Sequence, residues 1–545
     1  MFINFRDIPG QQNIFLDYLY EFESVKPYYI KNFRKTDSYP AHFEEVLSKY
    51  KTDRNSVAKI LKNQYLNKRI SAKTAYNLKM ISDPSTLFVF TGQQLGIATG
   101  PLYTFYKIIT TIKLANHLSS KYPGYNFVPA FWLAGDDHDF EEIRSVTLLN
   151  NDNSPVIVTY GAIEESGNVD TDLGSVGFLK IEDEIDLFIS KVNSSLRPTE
   201  FTPAIISLLY ESYKKGKTFA DAFKDLLFKF FDKHGLIIVN PQDKELKSLL
   251  KPVFKHELEN FRTHAEKLVS NSAGLEEVYH AQVKIKPLNL FYHYGKGRYS
   301  VEPVDHNEFR LKRKKVKFTK EELNHLIETE PENFSANVVL RPVCQDFLFP
   351  SAFYVAGPAE VSYYAQIIPL FSYFQLPVPM IFPRAGATIL ERNVSVLSDK
   401  FGLQISDFFV RRDDIIKLAA SRLSGINLEE IFEKAGLELS ETVEYLKTAL
   451  QHIDKTLLDP SDKLKLRVVS GLEELKKKAE LARIKRNEST LNQVKKALNL
   501  ILPNGNLQER EINIIYFMNK YGIDFHEKLF EELEILAFEH QIIKI

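Results

Sequence analysis

The chain of 545 residues predicts an α/β fold, a mostly parallel sheet with helices on its faces, followed by a helical region. Three observations predict it. Short apolar runs alternate with helical patterns over residues 86–390, and a glycine-rich turn separates the first run from its helix. Beyond 390 the strand-like runs give way to heptad periodicity. At roughly 150 residues per domain, the length allows about three packed units.

Residues 1–85 carry helical periodicity with aromatic anchors, as in IFLDYLYEF and VAKILKNQYL, and predict a helical N-terminal segment. From 86, LFVF is a buried strand, TGQQLGIATGP a loop, LYTFYKIITTIKLANHL a helix and NFVPAFWLAG a second strand. Residues of about 141–205 alternate polar turns with short runs such as SVTLLN and SPVIVTYG, and read as an insertion. TFADAFKDLLFKFFDKHG is an amphipathic helix closed by Gly235, and LIIVN is the strand after it. LFYHYGKGRYSVEPV is a hairpin turning at Gly295 and Gly297. VVLRPV and SAFYVAG are further extended runs, followed by the helix of PAEVSYYAQIIPLFSYF and the strand PVPMIFPRAG. The α/β core therefore spans 86–390.

Residues 391–545 are expected to be helical. Leu439, Val443, Leu446, Leu450, Ile453 and Leu457 step alternately by 4 and 3, which is a heptad seam. After a turn at Asp459 and Pro460 the steps resume at Val468, Leu472, Leu475, Ala479 and Ala482, then at Leu491, Val494, Leu498 and Ile501. This predicts an antiparallel coiled coil over about 437–502, ended by Pro503 and Gly505, with C-terminal helices returning to the core.

Lys plus Arg is 70 and Asp plus Glu 71, so no net field favours nucleic acid or an anionic membrane as partner. One cysteine, Cys344, excludes an intramolecular disulfide and a Cys-rich zinc site. MFINFRDIPGQQ breaks any apolar stretch at the start, and no run is long enough to span a bilayer. The expectation is a soluble cytoplasmic protein.

Gly92, Gly96 and Gly100 stand four residues apart in the first loop. Lacking side chains, and followed by Pro101 at a first helical turn, they leave N–H groups to meet a phosphate or carboxylate. A plain tight turn is the alternative. The spacing matches neither G-x-G-x-x-G nor G-x-x-x-x-G-K-[ST], so neither NAD nor a P-loop follows. The second strand ends in AGDDHDFEE, which brings Asp136, Asp137, His138 and Asp139 beside that loop in a parallel arrangement. These side chains suit Mg²⁺, an ammonium, hydroxyl groups or acid–base work; helix capping and a turn are the bland alternative. Neighbours on one strand end point in different directions, which speaks against a strict metal site.

Gly216, Lys217 and Thr218 resemble the end of a P-loop, but its first glycine would fall on Glu211 and no strand precedes it. RLKRKKVKF reads as a solvated loop or strand face in a neutral chain, and Cys344 as a small buried residue. In LRPVCQDFLFPSAFYVAGPAEVSYYAQ, Gly357 and Pro358 open a helix with Glu360 in its first turn, where capping accounts for it. Arg341, and Arg384 of FPRAG, suit the carboxylate or phosphate of an acidic substrate, with surface ion pairs as the alternative for each.

Together TGQQLGIATGPLYTFYK, FWLAGDDHDFEEI, LRPVCQDFLFPSAFYVAGPAEVSYYAQ and PNGNLQERE resemble the cysteine-adding enzyme family of bacillithiol biosynthesis, over nearly the whole chain. The resemblance implies a Rossmann-like core with connecting-peptide insertions, as in class I aminoacyl-tRNA synthetases, and a coiled-coil arm used to form a homodimer. It also implies a ligase that joins L-cysteine, through its carboxyl group, to the amine of glucosaminyl malate. Analogy with adenylating ligases admits ATP or ADP and Mg²⁺ as cofactors, with no tightly bound metal, although HIGH-type and KMSKS-type signatures are absent. Carried onto this chain, Asp136, Asp137, His138 and Asp139 are the catalytic candidates. Thr91, Gly92, Gln93, Gln94, Gly96, Gly100, Tyr103, Lys107, Arg341, Gln345, Glu360 and Arg384 are the substrate-binding ones. Lys107, two turns into its helix, is expected to point away from the anion site. The acidic cluster suits an amine or sugar hydroxyls, and the glycine loop or the arginines suit malate's carboxylates. A nucleotide is expected in the same cleft, or beside the coiled coil and QERE. A metal-dependent hydrolase using GDDHD and a non-catalytic coiled-coil scaffold are the rival readings.

Overall fold

The computed structural model describes residues 1–161, 174–409 and 412–545; residues 162–173 of the expected insertion lie outside the described residues. The chain divides into two compact units. The first comprises Met1–Asn151, Pro155–Thr388 and Glu509–Ile543, and the second Asp152–Ser154, Ile389–Gln508 and Lys544–Ile545.

The first unit is built on parallel strands. β1 (Thr86–Gln93) and β2 (Asn126–Leu133) pair in register along their whole length, joined by α1 (Tyr103–Lys121). Both are covered on two faces, so their sequences are continuous apolar runs rather than alternating ones. The side chain of Thr218 caps α2 (Phe219–Phe231) by accepting from the Asp221 N–H, which is the structural use of the GKT segment. Gly235, left-handed at φ 77°, then turns the chain into β3 (Ile237–Val239).

After α3 (Lys251–Glu276) comes an antiparallel sheet of β4 (Leu290–Tyr294), β5 (Gly297–Pro303), β6 (Glu308–Leu311), β7 (Lys317–Thr319) and β8 (Phe334–Ala336), in the order β7-β6-β5-β4-β8. The basic run lies on β6, β7 and their turn, where Arg310 and Lys317 pair with Glu302 and Glu308. VVLRPV is not the extended run its valines suggested. Arg341–Leu348 forms the helix α4, with Pro342 in the first turn where a missing N–H is harmless. β9 (Ser351–Ala356), α5 (Pro358–Tyr373) and β10 (Met380–Pro383) complete the unit's main sheet, ordered β10-β9-β1-β2-β3 and parallel throughout. From β1 the chain runs to β2 on one side, and later returns to place β9 on the other. That makes the gap between the carboxyl ends of β1 and β9 a topological switch point.

The N-terminal segment is mainly helical, but Phe2–Ile3 pairs antiparallel with His540–Lys544. In the expected insertion, Ser145–Leu149 and Pro155–Thr159 form a hairpin, whereas Glu184–Ser195 and Thr202–Ser212 are helices rather than short strands.

The second unit is helical. α6 (Leu428–Leu450) and α7 (Leu458–Arg486) form an antiparallel hairpin, as the pairs Lys447–Asp462, Glu444–Lys465 and Glu429–Lys476 require. Three details of the expected coiled coil change. It starts at Leu428; its turn lies at residues 451–457, with Pro460 inside the first turn of α7; and α8 (Glu488–Ile501) is a separate helix. Leu491, Val494, Leu498 and Ile501 are buried in a packed group with helices Arg392–Phe401 and Arg412–Ser424, so their heptad-like steps mark a core face and not an arm.

Candidate active site

A cavity of about 560 Å³ opens in the first unit at the carboxyl ends of β1, β2 and β9, where the switch point calls for a ligand. Its wall includes Gly92, Gln93, Gln94, Tyr103, Lys107, Asp136, Asp137, His138, Arg341, Glu360 and Arg384. Thr91, Gly96, Gly100, Asp139 and Gln345 are outside that wall.

The glycine loop divides in two. In its first half, Thr91 is fully buried and donates to the Val355 carbonyl at 2.9 Å, fixing β1 against β9. Gly92 has no room for a side chain, since a Cβ would stand 3.0 Å from the Trp132 carbonyl. Its own carbonyl and the Gln93 Oε1 each accept from Lys107 Nζ at 2.9 Å. Gln94 Nε2 donates to Asp137 Oδ2 at 2.7 Å and to Glu142 at 2.8 Å. In the second half the expected free amides are consumed. Ala98 N–H donates to the Tyr213 hydroxyl, Gly100 N–H to Ile97 and Leu102 N–H to Ile512, while Asn513 Nδ2 donates to the Ala98 and Gly100 carbonyls. Gly96 is required because a Cβ there would lie 2.7 Å from Gly100 Cα, and Gly100 because of its φ of 69° and ψ of −159°. This half is a packed turn, not an anion cradle.

At the β1 and β9 rim, Lys107 is 4% exposed and points into the site, against the expectation that it faces away. A long side chain in the second helical turn reaches back toward the N-terminus, which carries Nζ to the end of β1. It meets Glu360 Oε2 at 2.5 Å, and burial holds its ammonium below the ordinary lysine range while Glu360 opposes the shift. Glu360 does cap α5, accepting from the Gly357 N–H at 2.7 Å, but it also accepts from the Tyr354 hydroxyl at 2.8 Å. Arg384 is bound to Glu509 at 2.6 Å, both nearly sealed from solvent. Arg341 donates to Gln345 Oε1 at 3.1 Å and to the Tyr363 hydroxyl at 3.3 Å, and lies over the Tyr354 ring. Gln345 is therefore a support behind Arg341.

At the β2 and β3 rim, Asp136 Oδ2 meets Lys247 Nζ at 2.8 Å. Burial alone would raise its carboxyl, but Lys247 and Arg298 outweigh this and hold it below the usual range. Asp137 also stays well below that range: burial opposes ionisation, and hydrogen bonds from His138 and Gln94 overcome it. Asp139 turns away and caps the one-turn helix Phe140–Ile143 through the Glu142 N–H, which removes it from the catalytic candidates. Arg298 donates to Ser335 Oγ and the Ala336 carbonyl and lies 3.7 Å over Phe291, with burial lowering its guanidinium to about 10.

Residues 1–385 match the family model "Bacillithiol biosynthesis BshC, N-terminal Rossmann-like domain", and residues 387–545 match "Bacillithiol biosynthesis BshC, C-terminal coiled-coil domain". The chain belongs to the BshC family. Relatives named "Putative cysteine ligase BshC" include that of Salinibacter ruber, 34% identical over 98% of this chain and 96% of the relative. Those of Chloroherpeton thalassium (34% identical; 86% and 85% covered) and Chlorobaculum tepidum (30%; 98% and 97%) are similar to it as well. The Rossmann-like core is thus a property of the family as well as of these strands.

Lys247, Lys284, Lys286 and Arg298 are charged wall residues that sequence reasoning missed. For Arg298 the signal was a charge in the strand RYSV, whose neighbours face a core. For Lys247, in the short helix Lys244–Leu249, there was none. The wall does not fit a resident divalent ion, because Asp136 is already neutralised by Lys247 and Asp139 is spent on a cap. Among the described residues, no group of three or more His, Cys, Asp or Glu is placed to hold one. Cys344 reaches the wall, but burial pushes its thiol up to about 12, so it is a neutral packing group. Among the described residues, no helix is long and apolar enough to cross a membrane.

Proposed function

We propose that this chain joins the carboxyl group of L-cysteine to the amine of glucosaminyl malate, in the cytoplasm, as the family name and the site chemistry together suggest. The observation that carries the reading is the charge of the switch-point cavity. Eight Lys and Arg side chains line it against three carboxylates, Asp136, Asp137 and Glu360. A dicarboxylate acceptor suits such a wall.

Amide formation needs an activated acyl group, and ATP is the proposed activator. The amine nitrogen attacks the acyl carbon, the phosphate-type leaving group departs with its electron pair, and the amine proton passes to a base or water. Lys284, Lys286 and Arg510 are the more open cations of the wall and suit the phosphates, with Mg²⁺ arriving on the nucleotide. Dimerisation through the helical hairpin belongs to the same reading. Leu439, Leu446 and Leu475 are 40%, 45% and 56% exposed along it, and a second copy would cover them.

The test is incubation of the purified chain with L-cysteine, glucosaminyl malate and ATP, followed by mass spectrometry. Bacillithiol formed with stoichiometric ATP consumption is expected. Failure to form the thiol, together with absence of glucosaminyl malate binding in calorimetry, would remove the reading.

A further inference from the structure

The cations of the cavity are not equivalent. Lys107 is matched by Glu360, Lys247 by Asp136 and Arg384 by Glu509. Arg298 spends Nε and Nη2 on Ser335 and Ala336 and its face on Phe291, which makes it part of the wall. Lys284 is exposed and Lys286 half-buried, and Arg510 is exposed, so water screens all three.

Arg341 remains. Its partners are neutral: the Gln345 amide oxygen, the Tyr363 hydroxyl and the Tyr354 ring. Among the described residues no carboxylate forms an ion pair with it. A guanidinium has five N–H donors in a planar fork, and holding one against tyrosines without an anion is costly unless a ligand supplies the charge. Among the described residues, Asp137 is the wall carboxylate that forms no ion pair with a lysine or arginine, unlike Asp136 and Glu360. Its oxygens accept from Gln94 Nε2 and the His138 N–H, and among the described residues only the His138 imidazole, 3.4 Å away, comes within ion-pair distance. Its carboxyl stays ionised far below neutral pH, so it can hold an ammonium but is a poor acceptor for the ammonium's proton.

We propose that the cavity is bipolar and fixes the direction of the acceptor: Arg341 takes a carboxylate of the malate moiety as a two-pronged partner, and Asp137 takes the ammonium of the sugar. This rests on glucosaminyl malate being the acceptor. Both are positioning and specificity residues. The paired charges around them hold the wall in shape, and the proton lost on amide formation goes to another group.

The test compares binding by calorimetry to the intact chain and to Arg341→Lys and Asp137→Asn, with three probes. These are glucosaminyl malate, methyl glucosaminide, which lacks the carboxylates, and glucosyl malate, which lacks the amine. Lys keeps the charge of Arg341 but loses its fork. Arg341→Lys is expected to weaken both malate-bearing probes by roughly 10- to 100-fold and to leave methyl glucosaminide unchanged. Asp137→Asn is expected to weaken both amine-bearing probes and spare glucosyl malate. In turnover, KM for the acceptor should rise in both variants with KM for cysteine unmoved. Selective loss for one class of probe also distinguishes a lost contact from misfolding. Equal loss for all probes, no loss with Arg341→Lys, or a rise confined to KM for cysteine would overturn the bipolar assignment while leaving ligation standing. Absence of binding of glucosaminyl malate to the unaltered chain would overturn both.

Discussion

Three ion pairs in the cavity region and three on the helical hairpin join a basic to an acidic side chain at the same distances, 2.5–2.8 Å, yet differ in what they are worth. Arg384 and Glu509 are 5% and 3% exposed, Lys107 and Glu360 5% and 17%, Lys247 and Asp136 3% and 20%. On the hairpin the pairs Lys447–Asp462, Lys465–Glu444 and Lys476–Glu429 keep between 26% and 72% of each side chain in water. Solvent screens the second set, and long side chains lose entropy to form it. The first set is desolvated, so each member depends on its partner to stay charged. The difference teaches that an ion pair is a structural commitment only where water cannot replace the missing half.

Glu509→Ala is the strongest attempt to break that contrast. It strands Arg384 in a dry site and should cost about 3–5 kcal/mol, seen as a fall in the first thermal unfolding transition. A loss under 1 kcal/mol would mean that water reaches the pair.

The next effect is set by pH. Burial pushes the imidazoles of His42, His293 and His540 down to about 4. Their folded values lie below the unfolded value of about 6.5, so the unfolded chain binds protons first. The stability they contribute is complete above about pH 6.5 and is lost as pH falls through the folded value near 4, by up to about 3 kcal/mol per histidine. Thermal scans should be flat from pH 8 to 7 and fall steeply below 6. A transition temperature independent of pH down to 4.5 would contradict the burial of these rings.

Gly100→Ala forces a Cβ into a conformation tolerated essentially by glycine alone, and should cost about 1–3 kcal/mol. Because this half of the loop is a packed turn, KM of the folded fraction should not change. A selective rise in KM would return the loop to the anion site. Asp139→Ala should cost about 1 kcal/mol through loss of a cap, with turnover retained; a hundredfold fall in kcat would restore it to the catalytic group. Lys447→Ala, at the other end of the comparison, should leave the unfolding curve of the hairpin unchanged within error.

Much of the core was legible because its physics is local. β1 and β2 announce themselves as continuous apolar runs, since a strand covered on both faces has no polar positions to alternate with. The GDDHD cluster could be set beside the first loop from strand order alone. VVLRPV misled because its valines favour strands, while Pro342 suits the first turn of a helix equally well. The heptad steps at Leu491, Val494 and Leu498 misled because one apolar face has nearly the same period in a packed helix and in a coiled coil. Lys247 was invisible, and Arg298 only hinted at by a charge within an apolar strand, because their importance lies in Asp136, far away in the chain.

The sequence by itself determined the strand–helix alternation, the hairpin seam and the presence of carboxylates, arginines and glycines in the right neighbourhoods, because period and residue chemistry are properties of short segments. Tertiary structure alone decided which charges are spent on one another and which face the cavity. That choice depends on desolvation and on partners brought together from segments far apart in the chain. Arg384 is claimed by Glu509, 125 residues away, and Arg341 is left with neutral neighbours.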